Sequence, residues 1–395
     1  MKKILMLLQK DFPPDIRLEK EIRTLETNGF EVVLFCPQFS KKSKEDFEYG
    51  KTIRIPVIFN SSIINKALNY PVLFNPRFVY YLIKVGKKFK PDFIHVHDLP
   101  MVPFGVILKR ILGKKLIFDM HENYPAALIA YDKKGLFNKL FKNYKLAELL
   151  ENYALKISDK VISVIEENKE RLLSKGMKDE DVVIISNTVD FETFLLEPPN
   201  KSITEIYKDK FIILYTGGVS HNRGLDTPIK AMDKITKEIP NALMLIVGEG
   251  DGRGYLQKLV RRLQLEKVVK FIDWPGHYGL SSYFNVADVC MIPQPNIESN
   301  NTTIPHKLFE YMSQSKAVIV SDALPLKRIV EDNNCGISFE SFNPDAFADA
   351  VVNISTSEID YGKNGREAVL KKYNWNEHDG KKLVEFYRSL SFNSE

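Results

Sequence analysis

From Lys3 to Leu8 the chain is apolar. It breaks at Asp11-Phe12-Pro13-Pro14, takes helical spacing from Ile16 to Asn28, stops at Gly29 and turns apolar and β-branched again from Glu31 to Phe35. Strand, loop, helix, glycine, strand is one βαβ unit of a parallel sheet, and parallel sheets need both faces covered by helices. The same grammar restarts at Phe211 to Tyr215 and returns at Ala242 to Val247, Val268 to Phe271, Val289 to Pro293 and Ala317 to Ser321. One hydrophobic core stops growing at roughly 250–300 residues, so 395 residues arranged this way predict two doubly wound α/β domains. The polar stretch after Glu192, with Pro198-Pro199, reads as a linker. The division is therefore 1–190, a linker at 191–208, 209–373, and a last helical segment at 374–395.

Charge and cysteine content narrow the surroundings. A net charge of +5 permits anionic partners such as sugar nucleotides or lipid headgroups without calling for nucleic acid. Cys36, Cys290 and Cys335 have no metal-ligand spacing, which suits a reducing cytoplasm. The apolar run Ile4 to Leu8 is shorter than a signal-peptide core and reads as a first strand. No stretch approaches the roughly 20 apolar residues of a membrane-spanning helix. The segment Leu136 to Ile157 carries Lys139, Lys142, Asn143 and Lys145 on one side and Leu140, Leu146, Leu149 and Leu150 on the other. It has two readings, a helix packed on the sheet with a solvated face, or a basic amphipathic surface resting on anionic lipid at the inner face of the plasma membrane.

In doubly wound sheets ligands sit beyond the carboxyl ends of the strands, so the loops there hold the candidate residues. Arg17, after the first strand, is either a cation for a ligand or the partner of Glu21 one turn on. Two later strands end in His95-Val96-His97-Asp98 and Asp119-Met120-His121-Glu122, opening on one edge of the sheet. Histidines at strand ends beside carboxylates suit acid, base or hydroxyl-binding roles. Taking alternate strand positions as facing opposite ways, His95 and His97 are not expected to share a metal, and no metal is predicted. In the second domain Thr216-Gly217-Gly218 ends the first strand, with Arg223 close behind, and Gly248-Glu249-Gly250 ends the next. The Gly217-Gly218 pair either makes a tight turn or lets the backbone approach a diphosphate that Arg223 would neutralise. Thr302, Thr303 and Pro305 mark a helix start. On that helix Leu308, Tyr311, Met312 and Ser315 face the core, leaving Lys307, Glu310 and Gln314 on the opposite side, where Lys307 and Glu310 are either a solvated charge pair or the groups for phosphate and ribose.

Pro305-His306-Lys307-Leu308-Phe309-Glu310-Tyr311-Met312, followed by a short loop and Val318-Ile319-Val320-Ser321-Asp322, resembles the donor-nucleotide motif of the retaining GT4 glycosyltransferases. The resemblance covers almost the whole chain and implies the GT-B fold, two Rossmann-like domains facing a central cleft with the last helix crossing back to the first. It implies a hexosyltransferase without a cofactor, taking a UDP- or GDP-type nucleotide sugar as donor and a saccharide or lipid-linked saccharide hydroxyl as acceptor, in surface polysaccharide or glycolipid synthesis. By this resemblance Glu310 holds the ribose, Gly248 lies near the base, and Gly217, Gly218, Thr302 and Thr303 line the donor site. His121, Arg223 and Lys307 are assigned to the transfer step, His121 against the donor sugar. Arg17, His97 and Asp98 fall on the acceptor side.

Two positions depart from the family pattern. Gly218 stands where relatives carry Arg in G-R-x-x-x-x-K-G, with Arg223 in the Lys position. Thr302 stands where E-x7-E has its first Glu, and a Thr hydroxyl is a poor nucleophile, which favours attack on the same face as the leaving diphosphate. Trp375 and Phe386 are expected to anchor the last helix. The alternatives are a sugar-nucleotide epimerase, lacking a clear acid/base carboxylate pair, and a silent subunit that binds the nucleotide sugar without turnover.

Overall fold

The computed structural model describes residues 1–39, 47–57, 75–130, 144–191, 194 and 198–392. The chain forms two compact units, Met1–Ser186 with Asp379–Glu395, and Asn187–His378. The first unit thus ends four residues before the expected boundary. The segment expected as a linker contains a helix, Lys201–Tyr207, capped by Asn200 and packed on the helix Ser281–Val286.

In the first unit seven strands, β1 (Lys2–Leu7), β2 (Phe30–Gln38), β3 (Lys51–Pro56), β4 (Phe93–His97), β5 (Lys115–Met120), β6 (Lys160–Ser163) and β7 (Val182–Ile184), form one sheet. Its order is β3-β2-β1-β4-β5-β6-β7, and every pairing is parallel. The strands read as near-continuous apolar runs because helices cover both faces; Leu5, Leu7, Phe35, Ile94, Val96 and Phe118 lie in one core. Burying each such side chain contributes about 1.5–3 kcal/mol. Winding reverses between β1 and β4, so the carboxyl ends of those strands border the crevice where such sheets hold ligands.

The second unit repeats the plan with β8 (Phe211–Thr216), β9 (Ala242–Val247), β10 (Val269–Ile272), β11 (Val289–Ile292), β12 (Ala317–Ser321) and β13 (Gly336–Phe339), ordered β10-β9-β8-β11-β12-β13 and parallel throughout. Winding reverses here between β8 and β11.

The last helix, Gly380–Phe392, belongs to the first unit and packs on the helix Ile16–Thr27. Its anchors differ from those expected. Leu383, Val384, Tyr387 and Leu390 are buried, Phe386 is half-buried, and Trp375 stays in the second unit, where its N–H donates to the Val189 carbonyl. Of the amphipathic segment Leu136 to Ile157, residues 144–157 lie among those described, as the helix Tyr144–Ile157; Lys139, Leu140, Lys142 and Asn143 lie outside them. Among the described residues no helix is long and apolar enough to cross a membrane.

Candidate active site

Strand register builds the first cluster. His97 of β4 pairs with Asp119 of β5, and the Asp98 N–H donates to the Asp119 carbonyl at 3.0 Å, so two strand ends deliver His95, His97, Asp98, Asp119 and His121 together. Residues two apart on a strand share a face. His95 and His97 do so, their rings stacked with centroids 4.3 Å apart, which corrects the expectation that they face opposite ways. Glu21, His95, His97 and Asp119 offer ligand atoms within 4.8 Å of one another. The charge among these carboxylates is supplied by Arg17, whose Nε lies 2.9 Å from Glu21 and whose Nη2 lies 2.8 Å from Asp119.

Arg17 is therefore a buried strut, 9% exposed, and it makes the ion pair with Glu21 that its spacing allowed. Burial opposes its charge, and Asp119 and Glu21 more than restore it. His97 is likewise buried, with Nδ1 3.1 Å from Asp119 Oδ2, so it supports the cluster from inside. His121 is the more open histidine, its side chain 21% exposed, with Nε2 3.0 Å from Asp119 and Nδ1 3.4 Å from Asp98. Burial and the Arg17 charge push its pKa down, but the two carboxylates push harder and hold it at about 9. Asp119 would be raised by burial, yet Arg17 and His121 hold it well below the usual carboxylate range. Asp98 sits at φ 66°, ψ 155°, a region nearly reserved for glycine, at a cost of about 1–3 kcal/mol. Strain of that kind concentrates where a side chain must be aimed, and here the carboxylate is aimed at His121.

The second cluster lies at the β8 end. Thr216 pairs with Val247, which sets Gly217 beside Gly248. Gly217 has φ 110° and Gly248 φ 148°, and a Cβ on Gly248 would come within 2.0 Å of the Gly217 carbonyl oxygen, so only glycine allows the two loops to stack this closely. Lys307 reaches into this corner. Its Nζ donates to the Thr216 carbonyl at 2.7 Å and lies 3.9 Å from the centre of the Tyr215 ring. Burial and the nearby Arg223 charge depress the Lys307 pKa well below its ordinary value, with Glu310 opposing the shift. Arg223 Nε is buried and has no hydrogen-bond partner among the described residues. Two cations thus share one corner.

The helix carrying Lys307 starts later than expected. It spans Lys307–Ser313, and neither Thr302 nor Thr303 caps it. Thr302 is buried and its hydroxyl donates to the Glu298 carbonyl at 2.9 Å, because it closes the short preceding helix Glu298–Asn301; Thr303 is half-buried in the turn that follows. Leu308, Tyr311 and Met312 are fully buried, as their spacing requires, whereas Ser315, expected on the same face, is exposed because the helix ends at Ser313. Glu310 is buried as well, 4% exposed, with Oε1 2.7 Å from Nε2 of His306. Sequence reasoning passes over His306, although its position four residues before Glu310 is the available signal. It also passes over Tyr215, whose role depends on its contact with Lys307 on a helix distant in sequence. At Gly218, the missing arginine position, an added Cβ would meet no described atom within 4 Å, and the Gly218 carbonyl accepts from the Tyr215 hydroxyl at 2.7 Å.

Two parallel, doubly wound sheets, each with polar side chains at its reversal point, define a GT-B type protein. Residues 197–370 match the family "Glycosyl transferases group 1" and residues 18–193 match "Glycosyltransferase Family 4". The chain belongs to these GT4-like group 1 glycosyltransferases and is an enzyme of the hexosyltransferase type. It is 28% identical over 312 residues to an uncharacterised glycosyltransferase of Methanocaldococcus jannaschii, a match spanning 76% of this chain and 75% of the relative. Sucrose-phosphate synthase from Thermosynechococcus elongatus superposes with a TM-score of 0.81 at 20% identity, over 100% of both chains. An Anabaena protein solved with UDP-glucose gives a TM-score of 0.72 at 16% identity, over 98% of this chain and 100% of that one.

Proposed function

We propose that the chain transfers a sugar from a UDP- or GDP-type nucleotide sugar to a hydroxyl of a saccharide or lipid-linked saccharide, with retention of anomeric configuration, in surface polysaccharide or glycolipid synthesis. The observation that carries this reading is the Lys307–Arg223 corner beside the Gly217 loop. Two neighbouring cations repel, and the arrangement becomes favourable when a diphosphate lies across them. Glu310, in contact with His306 one turn along, takes the ribose hydroxyls in this reading, and its fixed orientation supports that role. The Anabaena neighbour, solved with UDP-glucose, supports a uridine nucleotide as the first donor to try.

In this reading the bond from the anomeric carbon to the leaving phosphate oxygen breaks while a bond to the acceptor oxygen forms on the same face. The acceptor proton passes to the leaving diphosphate. Lys307 and Arg223 stabilise the charge that grows there, and the His121 imidazolium meets a hydroxyl of the donor sugar. Thr302 takes no part as nucleophile, its hydroxyl being turned onto the Glu298 carbonyl. Leu146, Leu149 and Tyr153 are exposed on the helix Tyr144–Ile157, flanked by exposed Lys145 and Lys156, which supports contact with an anionic lipid surface near a lipid-linked acceptor.

The test is a thermal-shift panel of UDP-, GDP- and ADP-sugars. A cognate donor at about 100 times its dissociation constant adds roughly 2.7 kcal/mol. Nucleotide release from that donor by the wild type, absent in Glu310→Ala, supports transfer; binding without release makes the protein a silent subunit. No shift with any donor overturns the reading. Flotation with phosphatidylglycerol vesicles but not phosphatidylcholine vesicles tests the lipid contact, and loss of flotation in Leu146→Glu/Leu149→Glu is the expected result.

A further inference from the structure

Asp119 has the geometry of a hub. Its Oδ1 accepts from Arg17 Nη2 at 2.8 Å, while its Oδ2 lies 3.0 Å from His121 Nε2 and 3.1 Å from His97 Nδ1. The two histidine nitrogens are themselves 3.2 Å apart. His121 Nε2 is within hydrogen-bond reach of both Asp119 Oδ2 and His97 Nδ1, so a proton on Nε2 faces the two together. On the far side Tyr387, fully buried in the last helix, lies with its hydroxyl 2.6 Å from His95 Nδ1. Burial and the neighbouring His97 hold His95 below its ordinary pKa and hence neutral, so Nδ1 accepts from Tyr387, while Nε2 lies 3.5 Å from Asp119 Oδ2 without a hydrogen bond among the described residues. Three imidazoles therefore gather within 3.5 Å of one carboxylate oxygen, and His121, the least buried of them, is the one hydrogen-bonded to it.

We propose that Asp119, locked by Arg17, is a positioning residue for transfer: it fixes the ring plane of His121 and keeps that ring doubly protonated, so that a charged N–H is presented to the donor sugar. The inference rests on the reading that His121 faces that sugar. Asp119 itself is fully buried behind the ring and touches no substrate. Its charge state and geometry are transmitted only through His121. With both nitrogens protonated His121 cannot act as a base, so the acceptor proton has to leave by another route, in keeping with its passage to the leaving diphosphate.

The groups that face His121 are Asp15 and Arg17 at the start of the helix Ile16–Thr27, His97 and Asp98 at the end of β4, and Asp119 at the end of β5. Glu21 and His95 act on it through Asp119 and Arg17.

The test is a histidine ring titration by nitrogen-15 NMR on the full chain, with the His121 signals identified by their loss in His121→Gln. In the wild type both ring nitrogens are expected to be protonated at neutral pH and to titrate near 9. In Asp119→Asn the titration falls by about one unit or more, and the turnover number for the donor chosen by the thermal-shift panel falls at least tenfold with KM changed less than threefold. A wild-type His121 titrating near the ordinary histidine value of about 6.5 overturns the proposal whether or not Asp119→Asn folds. So does a folded Asp119→Asn that keeps both the titration and the turnover number. If His121→Gln turns over normally while the titration behaves as described, the donor-sugar reading of His121 fails and the Asp119 hub survives as a purely electrostatic feature.

Discussion

Nε2 of His306 lies 2.7 Å from Oε1 of Glu310, one helical turn away. A buried carboxylate oriented by a neighbouring imidazole is fixed in direction, which suits the hydroxyls of a pentose. His306→Ala should therefore loosen donor binding about tenfold, roughly 1.4 kcal/mol, with a smaller effect on turnover at saturating donor. His306→Gln, which keeps a donor N–H, should recover most of the loss. Isothermal titration with the selected nucleotide sugar checks both.

The glycines at the β8 and β9 ends separate into one that cannot change and one that can. Gly248→Ala forces a Cβ to within 2.0 Å of the Gly217 carbonyl at a φ of 148° and should cost more than about 2 kcal/mol, read as a lower melting temperature with lost nucleotide binding. Gly218→Ala meets no described atom within 4 Å and should leave both unchanged. Gly218→Arg uses the same open space to supply the cation of the family pattern, and should tighten donor binding several-fold with a steeper dependence on salt.

Lys307 is depressed well below its ordinary pKa by burial and by Arg223. Between that lowered pKa and the unfolded value near 10.4, the native state binds fewer protons than the unfolded one, so this group's contribution to the stability of the free protein rises with pH. A bound diphosphate reverses the preference by favouring the charged amine. Donor binding within that window should take up a proton, seen as a binding heat that changes with the ionisation enthalpy of the buffer. Lys307→Met should abolish the uptake and weaken binding, and uptake persisting in that variant would move it to another group.

Much of the fold is legible in the sequence alone. Both parallel sheets follow from apolar runs of strand length alternating with helical spacing, and the turn residues Gly29, Gly217 and Gly248 announce themselves because few other residues tolerate their backbone. The residues that escape such a reading act through long-range contacts. Tyr215 under Lys307 and Tyr387 against His95 are joined across 92 and 292 positions, a distance that local periodicity does not span. Arg17 reads equally as a ligand cation and as the partner of Glu21 one turn on, because local spacing allows both. Its fate depends on Asp119, 102 positions away. Thr302 reads as a cap because a hydroxyl before a helix usually is one, whereas a separate turn, Glu298–Asn301, already claims it.

Asp98 tests whether strain is retained for function. Asp98→Gly removes a backbone cost of about 1–3 kcal/mol, offset by the greater freedom of glycine when unfolded, and deletes the carboxylate 3.4 Å from His121 Nδ1. The variant should melt at or above the wild-type temperature yet transfer more slowly. A variant that is both less stable and fully active would place Asp98 in the fold alone.

Arg17 supplies the opposite case, a charge that belongs to the interior. Arg17→Met leaves Glu21 and Asp119 buried without their shared cation, and breaking a buried pair from one side costs about 3–5 kcal/mol. Asp119 would then be harder to ionise, so the loss should shrink as pH falls and it takes up a proton, the reverse of the usual acid sensitivity. Urea denaturation of wild type and Arg17→Met at about pH 8 and about pH 5.5 measures the difference. An acceptor-binding Arg17 predicts instead an unchanged midpoint at both pH values with a raised acceptor KM, and that pattern would return the residue to the ligand side.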